Sequence, residues 1–260
     1  MSSTSLSGAT VPAQQTEHSP STQHAHDGLA SARRFTELLD QRIGELDDAK
    51  AHAPSRLPGW TRGHVITHLA RNADGLANLL TWARTGVEHP MYASAADREA
   101  DIEEGAPRLA KVLHEDFAAA SRRLHSAADE LPASAWDAVV SNPLGTFPAH
   151  VVPWLRLVEV SIHLVDLDVG ADFDDVAGLL GARLMPLLDL VLVRYHGRDD
   201  VPAVSLEVRL PDGETQRRDF GSSGDSVTVT GDAGAALAWL TGRSAGADLR
   251  GPTPTLPAWL

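Results

Sequence analysis

A chain of 260 residues with 43% hydrophobic content is long enough for a sizeable core, in one large domain or two modest ones. Its formal net charge of −13 disfavours nucleic acid and anionic lipid as partners, since phosphate-rich surfaces reward a basic face. The lack of cysteine excludes disulfides, thiolate metal sites and a cysteine nucleophile, so any thiol chemistry needs a thiol brought in from outside. With only 5% aromatic residues, core bulk falls largely to Leu, Val and Ala, a balance that suits helices.

Residues 1–26 are rich in Ser, Thr and Gln and carry neither the basic nor the apolar part of a secretory signal, so they read as a disordered tail. His18, His24 and His26 are expected to be solvated within it. No run of 18 apolar residues is present; no membrane span is expected, and cytoplasm is the default location. From residue 27 to 49, Leu29, Phe35, Leu38, Leu39, Ile43 and Leu46 recur at helical spacing. A second helix is predicted from a Thr61 N-cap through Leu80 to about Arg84. Residues 86–105 read as a connection with a short acidic helical piece. A third helix spans roughly 106–130, with Leu109, Val112, Leu113, Phe117 and Leu124 on one face, and Leu131-Pro132 stops it. SNPLGTFPAH carries turn signals, and a fourth helix follows from about Ala149 to Val169, with Pro153 tolerated in its opening turns.

These four helices place a bundle in residues 27–170. Beyond Gly170 the pattern changes. DDVAGLLGARLMPLLDLVLVRY reads as one further helix, VPAVSLEVRL and DSVTVTG alternate like strands, and GETQRRDF is a weaker strand between them. Residues 232–241 form a short helix starting at Asp232. The predicted fold is therefore mainly α: a four-helix bundle followed by a small α/β C-terminal domain, residues 171–260.

Two pairs of potential metal ligands stand on the second and fourth helices, His64-x-x-x-His68 and Glu159-x-x-x-His163. Residues four apart project from one helix face, so two such faces meeting in a bundle bring imidazoles and a carboxylate together. Three protein ligands with a fourth position open are the arrangement of a catalytic zinc site, although these ligands also suit nickel or iron. His68 lies beside Val65, Leu69, Leu76 and Leu80, near the core boundary. Glu159 is surrounded by Leu155, Leu157, Val158, Val160 and Ile162, where an anion costs several kcal/mol to bury unless paired or metal-bound. The alternative is that Arg156, or an arginine on a partner helix, satisfies it.

The run LPGWTRGHVITHLARNADGLANLL, with PWLRLVEVSIHLVDLDVG, TGRSAGADL and the closing Pro-Ala-Trp-Leu, resembles the mycothiol-dependent maleylpyruvate isomerase family, within the DinB-like metalloenzyme superfamily of four-helix bundles. The resemblance covers essentially the whole chain beyond the tail. It implies one Zn2+ per chain, held by His68, Glu159 and His163. It gives His64 no ligand role; the residue is then a supporting group, a proton carrier or a helix histidine satisfied locally. Asp166 shares a face with His163 and either orients an imidazole or lies on the rim. Arg243, in LTGRSAG, matches an arginine near the metal and would hold a substrate carboxylate; the plainer alternative is a surface charge at a helix end. The implied reaction is mycothiol-dependent conversion of maleylpyruvate to fumarylpyruvate. Alternatives are a mycothiol S-transferase on the same scaffold and a metal-binding regulatory module. The expected partners are a small-molecule substrate and mycothiol, with the chain a monomer or weak oligomer.

Overall fold

Helix α1 (Pro20–Gly44) starts where Ser19 caps it by accepting from the Thr22 amide, with Pro20 in the first turn. The computed structural model describes residues 19–143 and 145–259. Residues 20–26, predicted as part of a disordered tail, are helical instead, and residues 1–18 lie outside the described residues. His24 and His26 stand on α1, where the Trp154 ring stacks 4.8 Å from His24, while His18 lies outside the described residues. The serine and proline of the tail supply a start signal that outweighs the polarity of the next few residues.

A short α2 (Asp48–Ala51) leads to α3 (Arg62–Thr85), which begins at the predicted Thr61 cap and ends on Gly86 with φ 72°. The acidic piece of the connection is α4 (Ala95–Gly105), followed by α5 (Ala110–Asp129). The turn signals after α5 belong to a hairpin of β1 (Val139–Asn142) and β2 (Gly145–Pro148), and α6 (Val152–Asp166) follows with Pro153 in its first turn. The single helix predicted next is two, α7 (Phe173–Leu180) and α8 (Leu184–Leu192), because Gly181 at φ 49° breaks it. Then come β3 (Pro202–Arg209), β4 (Thr215–Phe220), β5 (Ser223–Asp232) and α9 (Ala233–Leu240). β3 is central, antiparallel to β4 and parallel to β5, with Leu206 opposite Arg218 on one side and Val229 on the other.

Helices α1, α3, α5 and α6 form the bundle. Cross-helix pairs fix their directions. Arg33–Asp129 and His114–Asp40 make α1 and α5 antiparallel, whereas Arg71–Asp116 and Arg123–Asp74 make α3 and α5 parallel. Arg62 to the Leu167 carbonyl, His68 to Glu159 and Arg156 to Asn72 make α3 and α6 antiparallel. Parallel neighbours need a long connection, and residues 86–109 with α4 supply it.

The buried apolar side chains fall into two clusters. One, at the hairpin end of the bundle, includes Leu29, Leu76, Leu124, Trp136 and Val140. The other runs from Phe35, Leu69, Phe117 and Leu164 in the bundle into Leu188, Val204, Leu206 and Leu237 of the C-terminal part. Bundle and α/β part thus share one core at the end where the candidate ligands lie. Residues Phe173–Tyr195 reach a mean hydropathy of 1.9 and the length of a bilayer span, yet half of that window is buried in this fold, against α6 and α9.

Candidate metal centre

On α6 the polar residues Arg156, Glu159, His163 and Asp166 recur at intervals of three, four and three residues along a helix that is otherwise apolar but for Ser161. That spacing makes one polar stripe, and it faces α3. The register between the two helices is pinned at the end of α6: Arg62 donates to the Leu167 and Asp168 carbonyls at 2.7 and 3.1 Å, satisfying groups the helix end leaves orphaned. His68 is thereby brought against the stripe.

His68 Nε2 lies 2.8 Å from Glu159 Oε2, and His163 Nε2 lies 3.3 Å from the same oxygen. The two imidazole rings meet edge to face, with centroids 4.7 Å apart. One ligand atom from each of the three residues falls within 4.8 Å of the others. Tetrahedral zinc with bonds of about 2.0–2.1 Å separates its ligand atoms by roughly 3.3 Å. His163 and Glu159 stand at that separation, His68 and Glu159 stand a few tenths of an ångström inside it, and with the two imidazoles drawing together the residues present fit a divalent cation. Both imidazoles are buried, whereas 24% of the Glu159 side chain is exposed. The cluster therefore meets solvent on the carboxylate side.

The electrostatics are those of a site short of positive charge. Burial drives the His68 value down to about 4 against the pull of Glu159, leaving a neutral imidazole. Burial pushes the Glu159 carboxyl up, but contacts with His68 and His163 outweigh it and hold the group well below the usual range. For His163, burial acts downward, and the hydrogen bonds to Asp166 and Glu159 overcome it and raise the value. An anionic carboxylate between two imidazoles is a donor set that a cation would complete.

Behind the cluster sits a second layer. His163 Nδ1 is 2.9 Å from Oδ2 of Asp166, which is fully buried. Arg243 grips the same carboxylate, Nε to Oδ1 at 3.2 Å and Nη2 to Oδ2 at 2.7 Å, while its Nη1 donates to the Thr241 carbonyl at 2.6 Å. The turn that delivers Arg243 is built by Gly242 at φ 74°, with Gly242 N bonded to Trp239 O and Arg243 N to Ala238 O. Arg243 is thus neither a surface charge nor a free clamp: it orders Asp166, which orders the imidazole of a candidate ligand. Three of its five N–H donors have partners, and two are uncommitted among the described residues.

His64 stands apart from the cluster. Its Nδ1 accepts from the Thr61 amide at 3.2 Å within a capping box, and its Nε2 is 3.5 Å from Glu103. Arg156 does not satisfy Glu159; it donates to the Leu69 carbonyl at 2.8 Å and to Asn72 Oδ1 at 2.9 Å. Three groups around the cluster lie outside the four-residue spacing of the ligand pairs and escape a pattern search. The Trp60 ring lies 5.8 Å from His68, Arg98 Nη2 lies 2.9 Å from His68 Nδ1, and Tyr92 lies beneath the Arg98 guanidinium, 5.7 Å from its ring centre. A groove of about 460 Å³ between α3 and α5, lined by Arg84, Arg122 and Arg123, contains none of these residues.

Residues 32–168 match the sequence model of the mycothiol maleylpyruvate isomerase N-terminal domain. Two solved structures of mycothiol-dependent maleylpyruvate isomerase, one of them a histidine-to-alanine variant, superpose with a TM-score of 0.80 at 30% and 29% identity. The similarity covers 90% of this chain and 97% of theirs. An uncharacterised protein of Mycobacterium tuberculosis is 26% identical over 219 residues, or 79% of this chain and 80% of that protein.

Proposed function

The chain belongs to the mycothiol-dependent maleylpyruvate isomerase family, and we propose that it is an isomerase holding one Zn2+ through His68, Glu159 and His163 and using mycothiol to convert maleylpyruvate to fumarylpyruvate. The observation that carries this reading is the convergence of those side chains, partly open to solvent, in a protein with no thiol of its own. When bound, zinc supplies the positive charge that holds a thiol, ordinarily with a pKa of about 8.5, as thiolate at neutral pH.

The thiolate sulfur adds to one carbon of the cis double bond, and the electron pair of that bond passes into the neighbouring keto group as an enolate. The carbon–carbon link is then single and rotates. Return of the enolate electrons expels the thiolate and leaves the trans bond, so mycothiol is regenerated and no electrons are gained or lost. Asp166 holds the His163 ring with Nε2 toward the cluster, fixing its tautomer. Arg243 keeps Asp166 charged and in place, and its two remaining donors can stabilise enolate or carboxylate oxygen. His64 supports the start of α3 through its capping box. Action in the cytoplasm, as a monomer or weak oligomer with small molecules as partners, belongs to the same reading.

The test is turnover of maleylpyruvate by purified zinc-loaded protein with and without mycothiol. Formation of fumarylpyruvate only when the thiol is present, at constant thiol concentration, is the expected result. Stoichiometric loss of mycothiol would instead mean S-transfer. Tightly held zinc with no thiol-dependent reaction on any electrophile would favour a regulatory module.

A further inference from the structure

Arg98 is the only arginine or lysine in residues 86–105, a stretch that contains Glu88, Asp97, Glu99, Asp101, Glu103 and Glu104. Its guanidinium pairs with none of them: among the described residues it forms no ion pair. It reaches instead across the face of Tyr92 to His68, placing Nη2 2.9 Å from Nδ1 of that candidate ligand. A cation that bypasses the acids of its own helix to end beside an imidazole has no carboxylate partner among the described residues.

Its place in the site adds a second argument. Asp166 and Arg243 close the far side of the cluster, and exposure is confined to Glu159. Tyr92 and Arg98 are only partly buried, and Arg98 stands at the Nδ1 edge of the imidazole whose Nε2 meets Glu159. A guanidinium open to solvent therefore stands one imidazole away from the exposed carboxylate of the cluster. The chemistry of His68 points the same way. An imidazole that gives Nε2 to a cation keeps its proton on Nδ1, which then donates and cannot also accept from Arg98. Two donors facing each other are satisfied by one acceptor between them, and an anionic oxygen serves both.

Resting on the proposed function, we propose that Arg98 is the residue that recognises a carboxylate of the substrate on the open side of the site, making the α4 connection part of the binding pocket. An arginine is suited to this because its planar fork pairs a carboxylate through two donors, which lysine cannot reproduce.

The experiment is calorimetric binding of maleate, and of its uncharged diamide, to zinc-loaded wild-type protein and to the Arg98→Gln and Arg98→Lys variants, without thiol and with zinc content measured on each. Arg98→Gln is expected to weaken maleate binding at least tenfold, to leave the diamide unaffected and to retain zinc; Arg98→Lys should recover part of the loss. Maleate binding that is absent in the wild type, or unchanged in Arg98→Gln, would overturn the assignment. Zinc lost in parallel would also overturn it, since Arg98 would then merely support His68. Failure of the isomerase reading looks different: Arg98-dependent maleate binding by a protein with no mycothiol-dependent turnover keeps the anion site and removes the reaction. Normal turnover with unchanged KM in Arg98→Gln does the reverse.

Discussion

Glu159 places a single oxygen within 3.3 Å of both imidazoles, so removing any one member of the trio breaks the whole donor set. Glu159→Ala, His68→Ala and His163→Ala are each expected to lower bound zinc from near one equivalent to below about a tenth, and thiol-dependent turnover by at least about 100-fold. His64→Ala, which removes only a cap contact, should keep its zinc; atomic absorption on the purified variants decides. Asp166 acts one step further out. Asp166→Asn still fills the space but loses the charge shared by His163 and Arg243, and its zinc affinity should fall about 10–100-fold by competition with a chromogenic chelator. Unchanged affinity would reduce Asp166 to a packing group. That these two helices would bring imidazoles and a carboxylate together was legible because spacing by four is a property of the helix itself, whereas the choice of His68 over His64 followed from the resemblance. The role of Arg243 was only half legible: its nearness to the site followed from the resemblance, but its grip on Asp166 depends on where a turn 77 residues away comes to rest. Arg98 and Trp60 were missed because neither stands on the two helices that pair the candidate ligands, so no spacing ties them to the site.

At the scale of elements, the start of α3 is held against the α4–α5 connection so closely that side chains are excluded. A Cβ on Gly63 would lie 2.3 Å from the Ala106 carbonyl oxygen, and one on Gly105 would lie 2.4 Å from Thr67 Cγ2. Glycine in a helix interior normally costs about 1 kcal/mol relative to alanine, so Gly63→Ala would stabilise an unobstructed helix. Here the obstacle is backbone, and the variant is expected to lose about 1–3 kcal/mol in urea unfolding. Gly178→Ala in α7, where nothing lies within 4 Å of the added carbon, is the control and should gain up to about 1 kcal/mol. Equal effects at the two positions would mean that the contact at Gly63 is soft. The same local logic explains which elements could be read in advance. The bundle helices follow from apolar periodicity and the Thr61 cap, and the three strands of the C-terminal part from their alternation. The break at Gly181 was hidden because the apolar pattern runs on unchanged through a backbone reversal that only φ reveals. The β1–β2 hairpin was hidden because its strands, four residues each, are too short for alternation to show. The order of β3, β4 and β5 puts β5 parallel to β3 on the side away from β4, a long-range pairing that no local pattern reports.

For the molecule as a whole, the shared core raises the question of whether the bundle stands alone, since it carries all three candidate ligands and all of the family match at residues 32–168. A chain ending at residue 170 contains every candidate ligand, yet it strips α7 and α8 from α6, a helix whose apolar side chains are largely buried. Each such side chain returned to water forfeits about 1.5–3 kcal/mol. Truncation also removes Arg243, leaving the Asp166 carboxylate with His163 as its remaining side-chain partner, and breaking a buried pair from one side costs about 3–5 kcal/mol. Domains of this size are stable by about 5–15 kcal/mol, so the combined loss is comparable to the whole. The expectation is that the 1–170 fragment binds a hydrophobic dye, shows poorly dispersed amide resonances and holds zinc at least about 100-fold more weakly than the full chain. A fragment that unfolds cooperatively and takes up one equivalent of zinc would show instead that the C-terminal part serves the site only through Arg243. In that case Arg243→Ala in the full chain should reproduce the fragment's zinc affinity, and the two measurements together separate a shared core from a single shared residue.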